Sequence, residues 1–128
     1  MSLHIVDSSG WIEYFTDGPG ADNFAPVISN DSNLIVPAIV IFEVAKLFLR
    51  LHGDEHAKAA VAQLSTARVE APDAEIASDA AVVSILHQLP MADSTIYATA
   101  QRFGATLWTQ DADFEGLPGV RYVPKSSP

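Results

Sequence analysis

The sequence predicts a single α/β domain in which a mostly parallel sheet is covered by helices on both faces. Short β-prone apolar runs alternate with longer segments of helical period, in the order strand, helices, strand, helices, brief strand, helices, strand, strand. A length of 128 residues suits one domain that buries about two-thirds of its unfolded surface. The composition, 48% apolar and 18% charged, is that of an ordinary globular protein, and no repeat, low-complexity tract or linker divides it.

Leu3-His4-Ile5-Val6 is a short apolar strand, and Asp7 follows at once. Ser8 and Ser9 can cap a short helix, Gly10–Thr16, that sets Trp11, Ile12 and Phe15 on one side. Taken alone, Asp7 reads as a capping or turn aspartate. Asp17-Gly18-Pro19-Gly20 is a turn by composition, and Ala21–Ser29 is a weak helix whose extent is blurred by Pro26. After the polar Asn30–Asn33, Leu34-Ile35-Val36 is a second strand. Pro37 then suits the first position of a helix that runs to about Leu51, before Gly53.

Within that helix Ile39, Glu43, Leu47 and Leu51 fall at intervals of four and form one row. A carboxylate among three aliphatic side chains is costly to desolvate unless it is paired or held by a cation. Two readings follow: an ion pair with Lys46 or Arg50, or a Glu43 that points along the helix flank into an acidic cleft. Asp54–Ala67 reads as a further helix with Ala60, Val61 and Leu64 inward and Glu55, His56 and Lys58 solvated. Arg68-Val69-Glu70 is a brief strand. Asp73–Leu89 is helical, with Ile76, Ala80, Val83 and Leu86 or His87 as its buried stripe. Its acids Asp73, Glu75 and Asp79 suit a solvated face and the positive end of the helix dipole.

The most informative stretch is Met91–Phe114. Asp93 stands in the first turn of a helix whose buried face is Ile96, Tyr97, Ala100 and Phe103, and Gly104 stops it. The strand Ala105–Thr109 follows and leads into Asp111 and Asp113. A loop, Glu115–Gly119, a last strand, Val120–Val123, and a tail from Pro124 complete the chain. The expected domain is 1–124, with a frayed tail at 125–128.

With no cysteine, neither disulfides nor thiolate metal sites are available. His4, His52, His56 and His87 are scattered, as surface or packing residues are. The net charge is −9, from 7 basic and 16 acidic residues, and no basic stripe emerges. That argues against nonspecific nucleic-acid binding. It leaves open a nucleic-acid enzyme whose acids gather around divalent cations. The N-terminus does not read as a leader, and the apolar runs are too short for a bilayer, so a soluble cytoplasmic protein is expected. There is no G-x-S-x-G elbow and no Gly-rich phosphate loop.

What remains is a set of acids at strand ends and helix starts: Asp7, Glu43, Asp93, Asp111 and Asp113. In an open α/β sheet, ligands bind outside the carboxyl ends of the strands. Carboxylates gathered there repel one another unless a cation is present, and Mg2+ or Mn2+ is the natural complement. Such a pocket suits phosphodiester hydrolysis by an activated water.

Four segments carry a family resemblance: Ile5-Val6-Asp7-Ser8-Ser9, Phe42-Glu43-Val44, the run from Met91-Ala92-Asp93 to Ala100, and Thr109-Gln110-Asp111-Ala112-Asp113-Phe114. In this order and spacing they resemble PIN-domain proteins, and more closely the VapC-type ribonuclease toxins of bacterial toxin–antitoxin modules. The resemblance implies a three-layer α/β/α sandwich with the sheet in the order 3-2-1-4-5. It implies that Asp7, Glu43, Asp93 and Asp111 gather around Mg2+ or Mn2+ with help from Asp113. It implies cleavage of RNA such as tRNA or rRNA, a homodimer, and inhibition by a VapB-type antitoxin. Ser8 or Thr109 would then bond a ligand carboxylate, a water or a phosphate, and Lys46 and Arg50 would form a basic rim.

Two other readings compete. A phosphohydrolase of haloacid-dehalogenase type needs a second acid two residues after Asp7, where this chain has Ser9. A PIN-like fold kept only for binding or dimerisation would retain a complete acid set with no cation to hold, which is expensive when the acids are buried.

Overall fold

The computed structural model describes residues 2–125. Strand β1 is His4–Val6, helix α1 Ser8–Phe15 and helix α2 Ala21–Ser29. After a 3-10 turn at Asp31–Asn33 come β2, Leu34–Pro37, α3, Ala38–Leu51, and α4, Asp54–Leu64. Then follow β3, Arg68–Glu70, α5, Ala74–His87, α6, Met91–Phe103, and β4, Thr106–Thr109. A second 3-10 turn, Ala112–Phe114, precedes β5, Val120–Tyr122.

All strand pairs are parallel and the sheet order is β3-β2-β1-β4-β5. The chain thus steps outward from β1 to β3 and returns to the other side of β1. With right-handed crossovers, that return puts α5 and α6 on the face opposite the earlier helices. The direction of travel reverses between β1 and β4, where an open α/β sheet forms its crevice. Ile5 pairs with both Ile35 and Leu107, and Val6 pairs with Trp108. This register sets Asp7 beside Thr109.

The central strands are fully buried: Ile5, Ile35, Val36 and Leu107 are at 0% exposure, as expected of strands covered on both faces. Phe24 and Trp11 close the core on one side, Tyr97 and Phe114 on the other. Each large apolar side chain buried this way contributes about 1.5–3 kcal/mol. Helix α1 lies so close to β1 that a Cβ on Gly10 would sit 2.5 Å from Val6 Cγ1 and 2.9 Å from Phe24 Cε1.

Several element boundaries differ from the sequence expectation. Ser8 and Ser9 lie inside α1, and Asp7 is its N-cap, its carboxylate accepting from the Gly10 amide. Pro37 ends β2 with extended ψ of 136° rather than opening α3. The buried row of α3 is Val40, Val44 and Phe48, while Leu51 is 60% exposed. That helix is apolar around most of its circumference, so period alone picks the wrong row. In α5 the stripe Ile76, Ala80 and Val83 continues to His87, and Leu86 points out at 70% exposure. In α4, Ala57 replaces Val61 as the third buried residue with Ala60 and Leu64. Of the expected tail, Lys125 is exposed and 126–128 lie outside the described residues. Among the described residues, no helix is long and apolar enough to cross a membrane.

Candidate metal centre

Asp7 leaves β1 at its carboxyl end and caps α1, so its position is set by both elements at once. It is 3% exposed. Oδ1 accepts from Ser9 Oγ at 2.7 Å and from the Gly10 amide at 3.0 Å, and Oδ2 accepts from Thr109 Oγ1 at 2.6 Å. Burial raises its carboxyl to about 6, against the pull of these donors.

Asp93 is in the first turn of α6, after the Pro90 cap, where the helix dipole favours an anion. Even so its carboxyl rises to about 7. Burial is the first cause, followed by the charges of Asp111, Glu43, Asp7 and Asp113. The same five acids that the sequence singles out therefore sense one another in space.

Asp111 follows β4 and caps the second 3-10 turn, its carboxylate accepting from the Asp113 amide at 2.9 Å. One carboxylate oxygen from each of Asp93, Asp111 and Asp113 lies within 4.8 Å of the others. Asp111 is half-buried and Asp113 exposed, so this trio opens to solvent. Asp7 and Glu43 stand outside the tight trio and close enough to act on Asp93 through their charge.

Glu43 is half-buried on the flank of α3, and Ser8 donates a 2.6 Å hydrogen bond to it. The ion pair with Lys46 or Arg50 does not form; among the described residues Glu43 takes part in no salt bridge. Lys46 and Arg50 are exposed on the outer side of α3, in a shallow groove with Phe42, Ala45 and Leu49. The Lys46 ammonium sits 5.7 Å from the Phe42 ring centre. Of the two hydroxyls expected to meet a ligand, Ser8 reaches Glu43 and the fully buried Thr109 reaches Asp7.

Histidines stay out of the site. His4 accepts from Trp108 Nε1 at 3.0 Å, His87 packs edge-on to Tyr97, and the His52 and His56 rings lie 5.8 Å apart where α3 meets α4.

Sequence reasoning passed over Ser9 as an Asp7 partner, and Glu13 altogether. Glu13 is buried at 9% exposure and accepts from the Gly20 amide at 2.7 Å. Gly18 and Gly20 leave room for it, since a Cβ on either would press on its carboxylate. Two glycines one residue apart, seven and five residues beyond an acid, were the available signal.

The chemistry of this donor set is plain. It offers only carboxylate oxygens, at mutual distances that like charges resist, and no cationic side chain pairs with them among the described residues. Hard cations such as Mg2+ and Mn2+ suit such a set.

A family model described as PIN domain matches residues 4–120. No curated protein matches the sequence. Among solved structures, a toxin–antitoxin complex from Klebsiella pneumoniae superposes with a TM-score of 0.80 at 23% identity, covering 96% of this chain and 99% of that one. VapC20 of Mycobacterium tuberculosis, a sarcin–ricin loop cleaving toxin, gives 0.72 at 24% identity over 89% and 94%. DNA-bound VapBC from Salmonella typhimurium gives 0.76 at 20% identity over 97% and 98%. At these identities the likeness is one of fold.

Proposed function

The chain belongs to the PIN domain family, and from that premise we propose that it is a divalent-metal-dependent endoribonuclease, the toxin of a toxin–antitoxin pair. The observation that carries this reading is the convergence of Asp93, Asp111 and Asp113 within 4.8 Å at the carboxyl edge of the sheet. Asp93, Asp111 and Asp113 would hold Mg2+ or Mn2+, with Asp7 and Glu43 completing the acidic wall. When bound, the cation supplies Lewis acidity and charge neutralisation for attack of water on a phosphodiester.

The chain's own residues supply orientation. Asp7 is fixed by Ser9, Gly10 and Thr109, and Glu43 is fixed by Ser8. Asp113, the exposed member of the trio, is the one a substrate reaches first. Lys46 and Arg50 are the candidate contacts to RNA phosphates beyond the acids. Structured RNA is the substrate class to try first, because a protein of this fold cleaves the sarcin–ricin loop; tRNA is the second.

Partners follow from the surface. Solved relatives in fold are VapBC complexes, which supports a VapB-type antitoxin here. For the proposed homodimer we favour the outer face of α5, where Val82, Ile85 and Leu86 are 64%, 84% and 70% exposed, with Met91 beside them at 78%. Residues 80–92 carry no charged side chain in a chain of net charge −9. Two copies that repel overall can meet there without opposing like charges.

The test is incubation of purified protein with total bacterial RNA, with Mg2+ or with EDTA, beside Asp93→Asn, followed by sequencing of new RNA ends. Discrete ends that need both the metal and Asp93 support the reading. Ends that persist in EDTA, or in the variant, overturn it.

A further inference from the structure

Two hydroxyls in the site do not face solvent, and the proposed chemistry makes no use of them. Thr109 is 0% exposed, and its Oγ1 donates to Asp7 Oδ2 at 2.6 Å while accepting from the Asp111 amide at 2.9 Å. Ser9 repeats the pattern: its Oγ donates to Asp7 Oδ1 at 2.7 Å and accepts from the Gln110 amide at 3.2 Å. The two hydroxyls are 3.4 Å apart.

We infer that Ser9 and Thr109 are positioning residues, a paired hydroxyl bridge that locks the Asp7 carboxylate to the backbone carrying Asp111. The bridge spans the switch point of the sheet, between β1 and β4. Those strands pair through their own backbones only as far as Val6 and Trp108, with one further bond from the Asp7 amide to the Trp108 carbonyl. Beyond that point the chains diverge into α1 and the second 3-10 turn, and the two hydroxyls continue the pairing by side chain.

Each bridge is fully matched. A hydroxyl has one proton to give and can also accept, and here the proton goes to an anion and the acceptor serves a backbone N–H. Taking away Thr109 Oγ1 leaves a carboxylate oxygen and an amide without partners in a buried place, which is more costly than never having had the bond. Asp7 Oδ1 already has two donors, so Oδ2 is the oxygen with capacity left for a cation. Thr109 therefore orients the oxygen that a metal would use. Groups that hold metal ligands in this way commonly alter affinity by roughly ten- to a hundredfold when removed.

This inference rests on the metal-dependent reading, and its test separates the two. Mn2+ binding by titration calorimetry is compared in the wild type, Thr109→Val, Thr109→Ser and Ser9→Ala. Amide hydrogen exchange of Gln110 and Asp111 is followed in EDTA. Thr109→Val is expected to bind Mn2+ roughly ten- to a hundredfold more weakly and to exchange the Asp111 amide faster. Thr109→Ser should restore both, and Ser9→Ala should act chiefly on Gln110. A wild-type protein that binds no Mn2+ overturns the metal reading, and the metal half of this inference with it; the exchange rates then decide the bridge alone. Wild-type Mn2+ affinity in Thr109→Val overturns the positioning role. Should that variant not fold, Ser9→Ala decides: unchanged affinity together with unchanged Gln110 exchange overturns the bridge.

Discussion

Ser8 and Glu43, thirty-five positions apart, meet through a 2.6 Å hydrogen bond that ties the first turn of α1 to the flank of α3. The bond holds one acid of the wall from outside the wall. A hydrogen bond to a charged group contributes about 1.5–3 kcal/mol. Ser8→Ala should therefore lower cleavage by roughly tenfold or more, while Ser8→Thr keeps most of it. Equal rates in Ser8→Ala and wild type would mean that Glu43 needs no such support.

Asp93 sits where four other acids raise its carboxyl to about 7. Asp93→Asn should abolish cleavage and leave the fold intact. In EDTA near neutral pH the variant should also melt above the wild type, by about 4 °C for each kcal/mol of repulsion relieved. Equal melting temperatures in EDTA would argue that the acids do not crowd one another in solution.

Acidity should likewise govern stability in the absence of metal. The Asp7 and Asp93 carboxyls stand at about 6 and about 7 in the fold, above the ordinary value of 3.8. Between about pH 4 and about pH 7 the folded chain therefore binds more protons than the unfolded chain, and stability falls as pH rises through that window. The contribution of these two groups is full below it and gone above it. Melting curves in EDTA across the window, with other conditions fixed, should show this decline, and added Mn2+ should reverse it at the upper end. A melting temperature that rises with pH would contradict the assignment.

Gly10 lies at the tightest approach of α1 to β1. An alanine there gains up to about 1 kcal/mol of helix propensity. It must also displace Val6 and Phe24, whose atoms would lie within 3 Å of its Cβ, and such overpacking costs about 1–3 kcal/mol. The second effect wins, so Gly10→Ala should unfold at lower denaturant concentration than wild type. A stabilised variant would mean that the two side chains yield freely.

On α5, Ile85→Lys places a charge on the face favoured for self-association. Light scattering should report a shift from dimer to monomer with the melting temperature little changed, because Ile85 is 84% exposed within one copy. A dimer that persists would move the interface elsewhere.

How much of this was legible in the sequence depends on how local each signal is. Asp93, Asp111 and Asp113 could be located because each stands at the end of an element whose period or composition is clear. The sheet order came with the family resemblance, and the register of the strands agrees with it. Glu43 was legible as an acid out of place, but its row was misjudged, since a helix reading AIVIFEVAKLFL is apolar on nearly every side. Ser9 and Thr109 looked like a cap and a ligand contact. Their true partners lie across a strand pairing that joins positions a hundred residues apart, which no local pattern encodes.

The position of β4 beside β1 has a consequence for the life of the chain before it is finished. Asp7 is made among the first residues, yet its partner Thr109 and the acids Asp93, Asp111 and Asp113 belong to the last third. Until the C-terminal strands arrive, β1 keeps one edge bare and the acids have nowhere to converge. A nascent chain is then no nuclease, and the ribosome that makes it is safe from it. Catalytic competence comes at the end of translation, when a waiting antitoxin can meet the toxin as it is born.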